Sequence, residues 1–125
     1  MGSVPNFLRN STLTPLYRVA ALVLSVIVLW ASFEPSAGDA LTGTWHWLAH
    51  FGAYAALGFL WRRALPRAPA LAVVAAVAAL GFGQEALEIA GHAHPFELAD
   101  AVVDAAGAVF GASLGSPAAF GRKSG

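Results

Sequence analysis

"GQEALEIAGHAHPFELADAVVDAAG", residues 83–107, holds five of the seven acidic residues and two of the four histidines of this 125-residue chain. Long runs of Ala, Val, Leu and Gly flank it on both sides. Carboxylates are costly wherever water is scarce. The stretch is therefore either a wet loop between two apolar segments or charge placed within a membrane. The choice between these decides the fold.

Composition favours a membrane setting. The chain is 58% hydrophobic and 11% charged, with a mean hydropathy of +0.64. A soluble domain usually carries about a quarter charged residues. Four apolar segments emerge: 16–33, 44–61, 69–91 and 98–120. Each approaches the roughly 20 residues that cross a ~30 Å hydrocarbon core as a helix. Helices are the open-chain solution there, because each segment pairs its own backbone polar groups. The expected fold is all-α, an integral membrane four-helix bundle over residues 16–120. Short tails, 1–15 and 121–125, precede and follow it.

The cations set its orientation. Arg9 and Arg18 precede or open the first segment, Arg62, Arg63 and Arg67 lie between the second and third, and Arg122 and Lys123 follow the fourth. Loops 34–43 and 92–97 have none. All seven fall on one side of a four-span chain, so the positive-inside rule places both termini in the cytoplasm, as in a multi-pass bacterial inner-membrane protein. Trp30, Phe33, Trp45, Trp47 and Phe96 then mark the outer interface, and Tyr17, Trp61 and Phe120 the inner one. A cleaved leader is the competing reading of segment one. Its apolar run is long for that role, and Pro35 would occupy the −3 site for cleavage after Ala37. The neutral net charge argues against a nucleic-acid partner, and the lack of cysteine excludes disulfides and thiolate metal sites.

With this topology the polar residues converge in depth. His50 lies about 7–8 Å below Trp45, while Glu85, Glu88, Asp100 and Asp104 fall in the same outer third. His46, His50 and Tyr54 recur at i, i+4 and i+8, Gln84 and Glu88 share a face, and Glu97, Asp100 and Asp104 follow i, i+3 and i+7. Ionisable groups in membranes normally face the bundle interior or a watery cavity. The expectation is an outward-facing polar pocket walled by segments two, three and four. Its ligand residues would be His50, Glu85, Glu88, Asp100 and Asp104, with Tyr54 and Gln84 orienting them. His46 reads as interfacial, Glu34, Asp39, His92, His94 and Glu97 as solvated loop, and Asp100 alternatively as a helix cap. Gly107, Gly111 and Gly115 form small-xxx-small steps suited to close helix packing. Histidine with carboxylates suits a divalent metal, yet no tight motif such as His-Glu-x-x-His occurs. The sequence accordingly assigns neither metal nor cofactor.

"HFGAYAALG" (50–58), "GQEALE" (83–88) and "DAVVDAAGAVFG" (100–111), in that order, resemble the VanZ-like family of small bacterial membrane proteins. The namesake of that family is associated with teicoplanin resistance. His50, Phe51 and Tyr54 match its first element, Glu85 the second, and Asp100 and Gly107 the last; the likeness spans roughly residues 44–115. Glu88 stands where the family often has Gln, His94 near its usual Arg, Asp104 in place of Asn, and His46-Trp47 where many members carry Asp-Lys. The resemblance implies a four-helix fold in the bacterial inner membrane. It also implies an envelope context, with a lipid-linked or polar envelope component as the ligand bound or modified. Three rivals are an enzyme acting on a lipid-linked substrate through a metal or an acid–base pair, a proton-coupled carrier, and a structural subunit. The last would dock a protein partner or a second copy on the Gly107/Gly111 face. Ser113 and Ser116 are the few polar groups in the inner half of segments three and four, which weighs against the carrier.

Overall fold

The computed structural model describes residues 6–33, 44–92 and 98–116, with the backbone alone for 6–12, 33, 91 and 92. Four α-helices form among the described residues: α1 (Asn6–Phe33), α2 (Thr44–Ala64), α3 (Ala70–His92) and α4 (Leu98–Gly115). Stretches within α1, α3 and α4 are long and apolar enough to cross a membrane: Leu13–Ser32, Ala70–Ala90 and Leu98–Gly115. The 21-residue α2 carries His46 and His50 near one end and Arg62 and Arg63 at the other, which dilutes its apolar character. Glu34, Asp39, His94, Phe96, Glu97, Phe120, Arg122 and Lys123 lie outside the described residues.

Proline and glycine chemistry explains most of the boundaries. The helix α1 begins ten residues before the expected segment and continues through Pro15, at the loss of the one backbone bond its ring removes. Pro66 follows α2 closely and occupies the second position of a turn closed by Ala68 N–H donating to Leu65 O at 3.1 Å. Pro69 caps α3, its carbonyl accepting from Val73 N–H at 3.2 Å. Segment four, expected to reach residue 120, stops at Gly115 because Ser116 precedes Pro117 and is turned away from helical geometry.

The most intimate contact is between α2 and α4, and it has a single register. His46 meets Asp100, His50 meets Asp104 and Arg62 meets Ser116, each pair 54 residues apart in sequence. A constant offset at steps of four means that the two helices run in the same direction, with α3 as the return span. Glycines make this approach feasible. A Cβ on Gly107 would lie 2.6 Å from Phe51 O, and one on Gly115 would lie 2.9 Å from Phe59 O. One on Gly111 would overlap the Ala55 carbonyl, and on the facing helix one on Gly58 would overlap that of Ala108. Backbone thus packs on backbone along three turns, the close approach that drives helix association in lipid. The Gly107/Gly111 face is occupied by α2 of the same chain, so the face assigned to a docking partner is already used.

Helix α1 lies against α2 and α3. Trp61 Nε1–H donates to Ser25 Oγ at 3.0 Å, and Arg18 Nε–H donates to Ala64 O at 3.0 Å, satisfying a carbonyl at the end of α2. Polarity is distributed inside out. Leu16, Val19, Leu22 and Val26 of α1, Leu71 of α3, and Val102, Val109 and Phe110 of α4 are exposed. Gln84, Glu85, Asp100 and Asp104 are buried.

Candidate functional site

The shared register of α2 and α4 builds a two-rung ladder. His46 Nε2 lies 3.1 Å from Asp100 Oδ2, and one turn deeper His50 Nδ1 lies 2.8 Å from Asp104 Oδ1. A carboxylate only accepts, so each imidazole nitrogen carries the hydrogen. The rings of His46 and His50 stack obliquely with centroids 4.5 Å apart, as i, i+4 neighbours on one helix face do. Asp100 and Asp104 are withdrawn almost completely from the surface. Side-chain exposure falls from 28% at His46 to 11% at His50, so the ladder descends from an exposed end into the bundle.

One further turn down α2, Tyr54 O–H donates to Gln84 Oε1 on α3. Gly81 lets α3 come this close: a Cβ there would stand 3.1 Å from Asp104 Cβ and 3.3 Å from the Tyr54 ring. Gly81, Glu85 and Glu88 fall on the same inner face of α3 as Gln84, and Glu85 is only 1% exposed. Every residue expected at the site is thus on α2, α3 or α4 at the ladder end of the bundle.

Two expectations need correction. His46, read as interfacial, forms the outer rung with Asp100, which is a paired group as well as a first-turn acid of α4. Its i, i+4 spacing from His50, set beside the i, i+4 spacing of Asp100 and Asp104, was the available signal. The pocket is also not walled by segments two, three and four. The glycine register closes α2 onto α4 along Gly107, Gly111 and Gly115. A cavity of about 240 Å³ lies instead between α1, α2 and α3. His46, His50 and Tyr54 line one side of it and Gln84 and Glu88 another, while Leu24, Ile27, Val28 and Ala31 of α1 give it an apolar wall. The two aspartates stand behind the histidines and fix their rings. The sequence offered no sign of the α1 wall, because those residues read only as membrane-span filling.

Among the described residues, the arginines lie at the other end. Arg62 donates to Ser116 Oγ and to the carbonyls of Leu65 and Ala68, and Arg63 lies 6.0 Å from the Tyr17 ring centre and 5.8 Å from that of Phe59. Arg62 is twelve residues beyond His50, about 18 Å along the helix axis. No family model, no curated protein and no solved structure matches this chain.

Proposed function

We propose that the chain is a four-span, VanZ-like protein of the bacterial inner membrane, with both termini cytoplasmic and the His–Asp ladder near the outer face. On this reading the pocket binds the polar head of an amphiphilic cell-envelope component, with α1 receiving the start of its apolar part. The observation that carries the reading is the pairing of walls: imidazoles, a phenol, an amide and the Glu88 carboxylate face four aliphatic side chains across one cavity. Pockets for small amphiphiles take this form, mostly apolar with a few placed polar groups. Segregated cations, exposed apolar faces and three membrane-length helices support the setting. Tolerance of glycopeptides or of envelope stress is the physiological role that the resemblance suggests.

Native mass spectrometry of the full chain, released gently from membranes, tests this. The wild type should retain a lipid-mass adduct that His50→Ala and Tyr54→Phe lose while keeping their helicity. Equal adduct occupancy in all three proteins refutes the pocket. In cells, unchanged protein level and unchanged envelope-stress tolerance after His50→Ala, Glu85→Ala and Asp104→Ala would remove the functional claim.

A further inference from the structure

The rungs leave one group unexplained. Asp100 is 1% exposed, and its Oδ2 is taken by His46, yet its buried Oδ1 has no hydrogen-bond partner among the described residues. A buried carboxylate oxygen without a partner is costly, and such orphans in a native site point to a missing ion or water. Charge points the same way. Glu85, Glu88, Asp100 and Asp104 gather at one end of the bundle, while Arg18, Arg62 and Arg63 are engaged at the other. A divalent ion held there would compensate carboxylate charge that low-dielectric surroundings make costly.

The donor geometry specifies which kind. His46, His50 and Asp100 each offer one ligand atom, all within 4.8 Å of one another. Ligands about 2.0–2.1 Å from a tetrahedral zinc ion stand roughly 3.3–3.5 Å apart, so a shift of about an ångström closes the set. His50 spends Nδ1 on Asp104, which leaves Nε2 to ligate. A carboxylate accepting from the far ring nitrogen is the usual support of a metal-binding histidine. We infer that His46, His50 and Asp100 form a site for one divalent transition-metal ion of the zinc class, with Asp104 positioning His50. Two nitrogen donors favour such an ion over Mg²⁺ or Ca²⁺, which take oxygen ligands. Three protein ligands leave a fourth position on the ion. Because His46 and His50 also line the cavity, that position is available to an oxygen of a bound head group. This last step alone rests on the pocket reading above; the ion site stands on the ladder geometry.

The test uses the full chain in detergent micelles, purified without a polyhistidine tag and stripped with chelator. Calorimetric titration with Zn²⁺ should show one ion per chain, and Co²⁺ should give the visible absorption of a four-coordinate site. Mg²⁺ in excess should not compete. Asp104→Asn should weaken Zn²⁺ binding about 10–100-fold, the usual effect of losing a histidine's carboxylate support. His46→Ala, His50→Ala and Asp100→Asn should each weaken it further. A His92→Ala/His94→Ala double variant should bind as the wild type does. If Asp100→Asn fails to fold, His46→Ala decides, since that ring is the most exposed of the set. Absence of stoichiometric Zn²⁺ binding, or binding that survives His46→Ala/His50→Ala, overturns the site. Binding lost with His92 and His94 instead places the ion elsewhere and overturns it equally. An amphiphile adduct on protein that binds no Zn²⁺ refutes the ion and leaves the pocket; Zn²⁺ binding without an adduct does the reverse.

Discussion

Gly111→Ala adds one methyl group where the fold has no room for it. The new Cβ would lie 2.6 Å from Ala55 C and 2.8 Å from its Cα, and closer still to the carbonyl oxygen. These are backbone atoms in mid-helix, so no side-chain rotation relieves the clash. Because the carbonyl oxygen is the nearest atom, ordinary contact near 3.4 Å requires α2 and α4 to part by well over an ångström at this turn, a gap that forfeits at least a quarter to a half of the local dispersion energy. The His50–Asp104 rung sits two turns away on the same interface. A rigid separation of that size would stretch its 2.8 Å bond beyond useful length. Overpacking typically costs about 1–3 kcal/mol, and a bond to a charged group about 1.5–3. The better helix propensity of alanine returns about 1. The expected net loss is about 2–4 kcal/mol. Gly52→Ala and Gly83→Ala are the controls, because a Cβ at either position meets nothing within 4 Å. They should be neutral or stabilising by up to about 1 kcal/mol. Equilibrium unfolding in mixed SDS micelles, followed by far-UV circular dichroism, reads all three. If Gly111→Ala unfolds within about 0.5 kcal/mol of wild type, or if Gly52→Ala loses as much, the parallel α2–α4 backbone contact is wrong.

The inner rung should behave as a coupled pair: a double-mutant cycle over His50→Ala and Asp104→Asn should give a coupling of about 1–3 kcal/mol by the same unfolding assay, and additive losses would contradict the contact. Tyr54→Phe deletes the hydroxyl that meets Gln84 and should cost about 1–2 kcal/mol with helicity unchanged; Gln84→Leu on that background should restore part of the loss, since removing both polar partners avoids an unsatisfied group. The chain has no native cysteine, so single replacements report topology directly. Ser36→Cys and Ala93→Cys should react with an impermeant thiol reagent in intact spheroplasts, whereas Ala70→Cys and Ser124→Cys should react only after lysis; the opposite pattern would invert the protein.

What the sequence made legible is what period and sign can carry. Helical spacing put His50, Tyr54, Asp100 and Asp104 on inner faces, and the segregation of Arg and Lys separated the two ends of the bundle. Pairing was harder to see, because spacing within a helix does not say which neighbour it faces. The offset of 54 that joins His46 to Asp100 also joins His50 to Asp104 and Arg62 to Ser116. It becomes visible only when the small-xxx-small run of Gly107, Gly111 and Gly115 is laid against Phe51, Ala55 and Phe59. His46 was missed for that reason: beside two tryptophans its composition says interface, while its register says rung. The α1 wall was invisible for a different reason. Aliphatic residues that line a cavity and aliphatic residues that meet lipid have the same chemistry, and only packing distinguishes them.

That register also explains why the acidic stretch 83–107 is tolerable where it lies. Glycine packing at Gly107, Gly111 and Gly115 holds α4 so near α2 that Asp100 and Asp104 cannot turn toward water, and each must take its partner from α2. The histidines are therefore held from behind, with their rings presented to the cavity on the α1 and α3 side. Loosening the glycine seam should then alter the cavity before it unfolds the bundle. Gly107→Ala, whose Cβ would meet Phe51 O at 2.6 Å and Ala55 N at 3.1 Å, is the sharper probe because it lies nearest the rungs. It should lower Zn²⁺ affinity about as much as Asp104→Asn does, 10–100-fold, although residue 107 offers no ligand atom. Gly115→Ala, two turns further from the ladder, should leave the affinity within about threefold of wild type, because coupling fades between sites that share no partner. Equal effects at the two glycines would mean that the seam does not set the rungs.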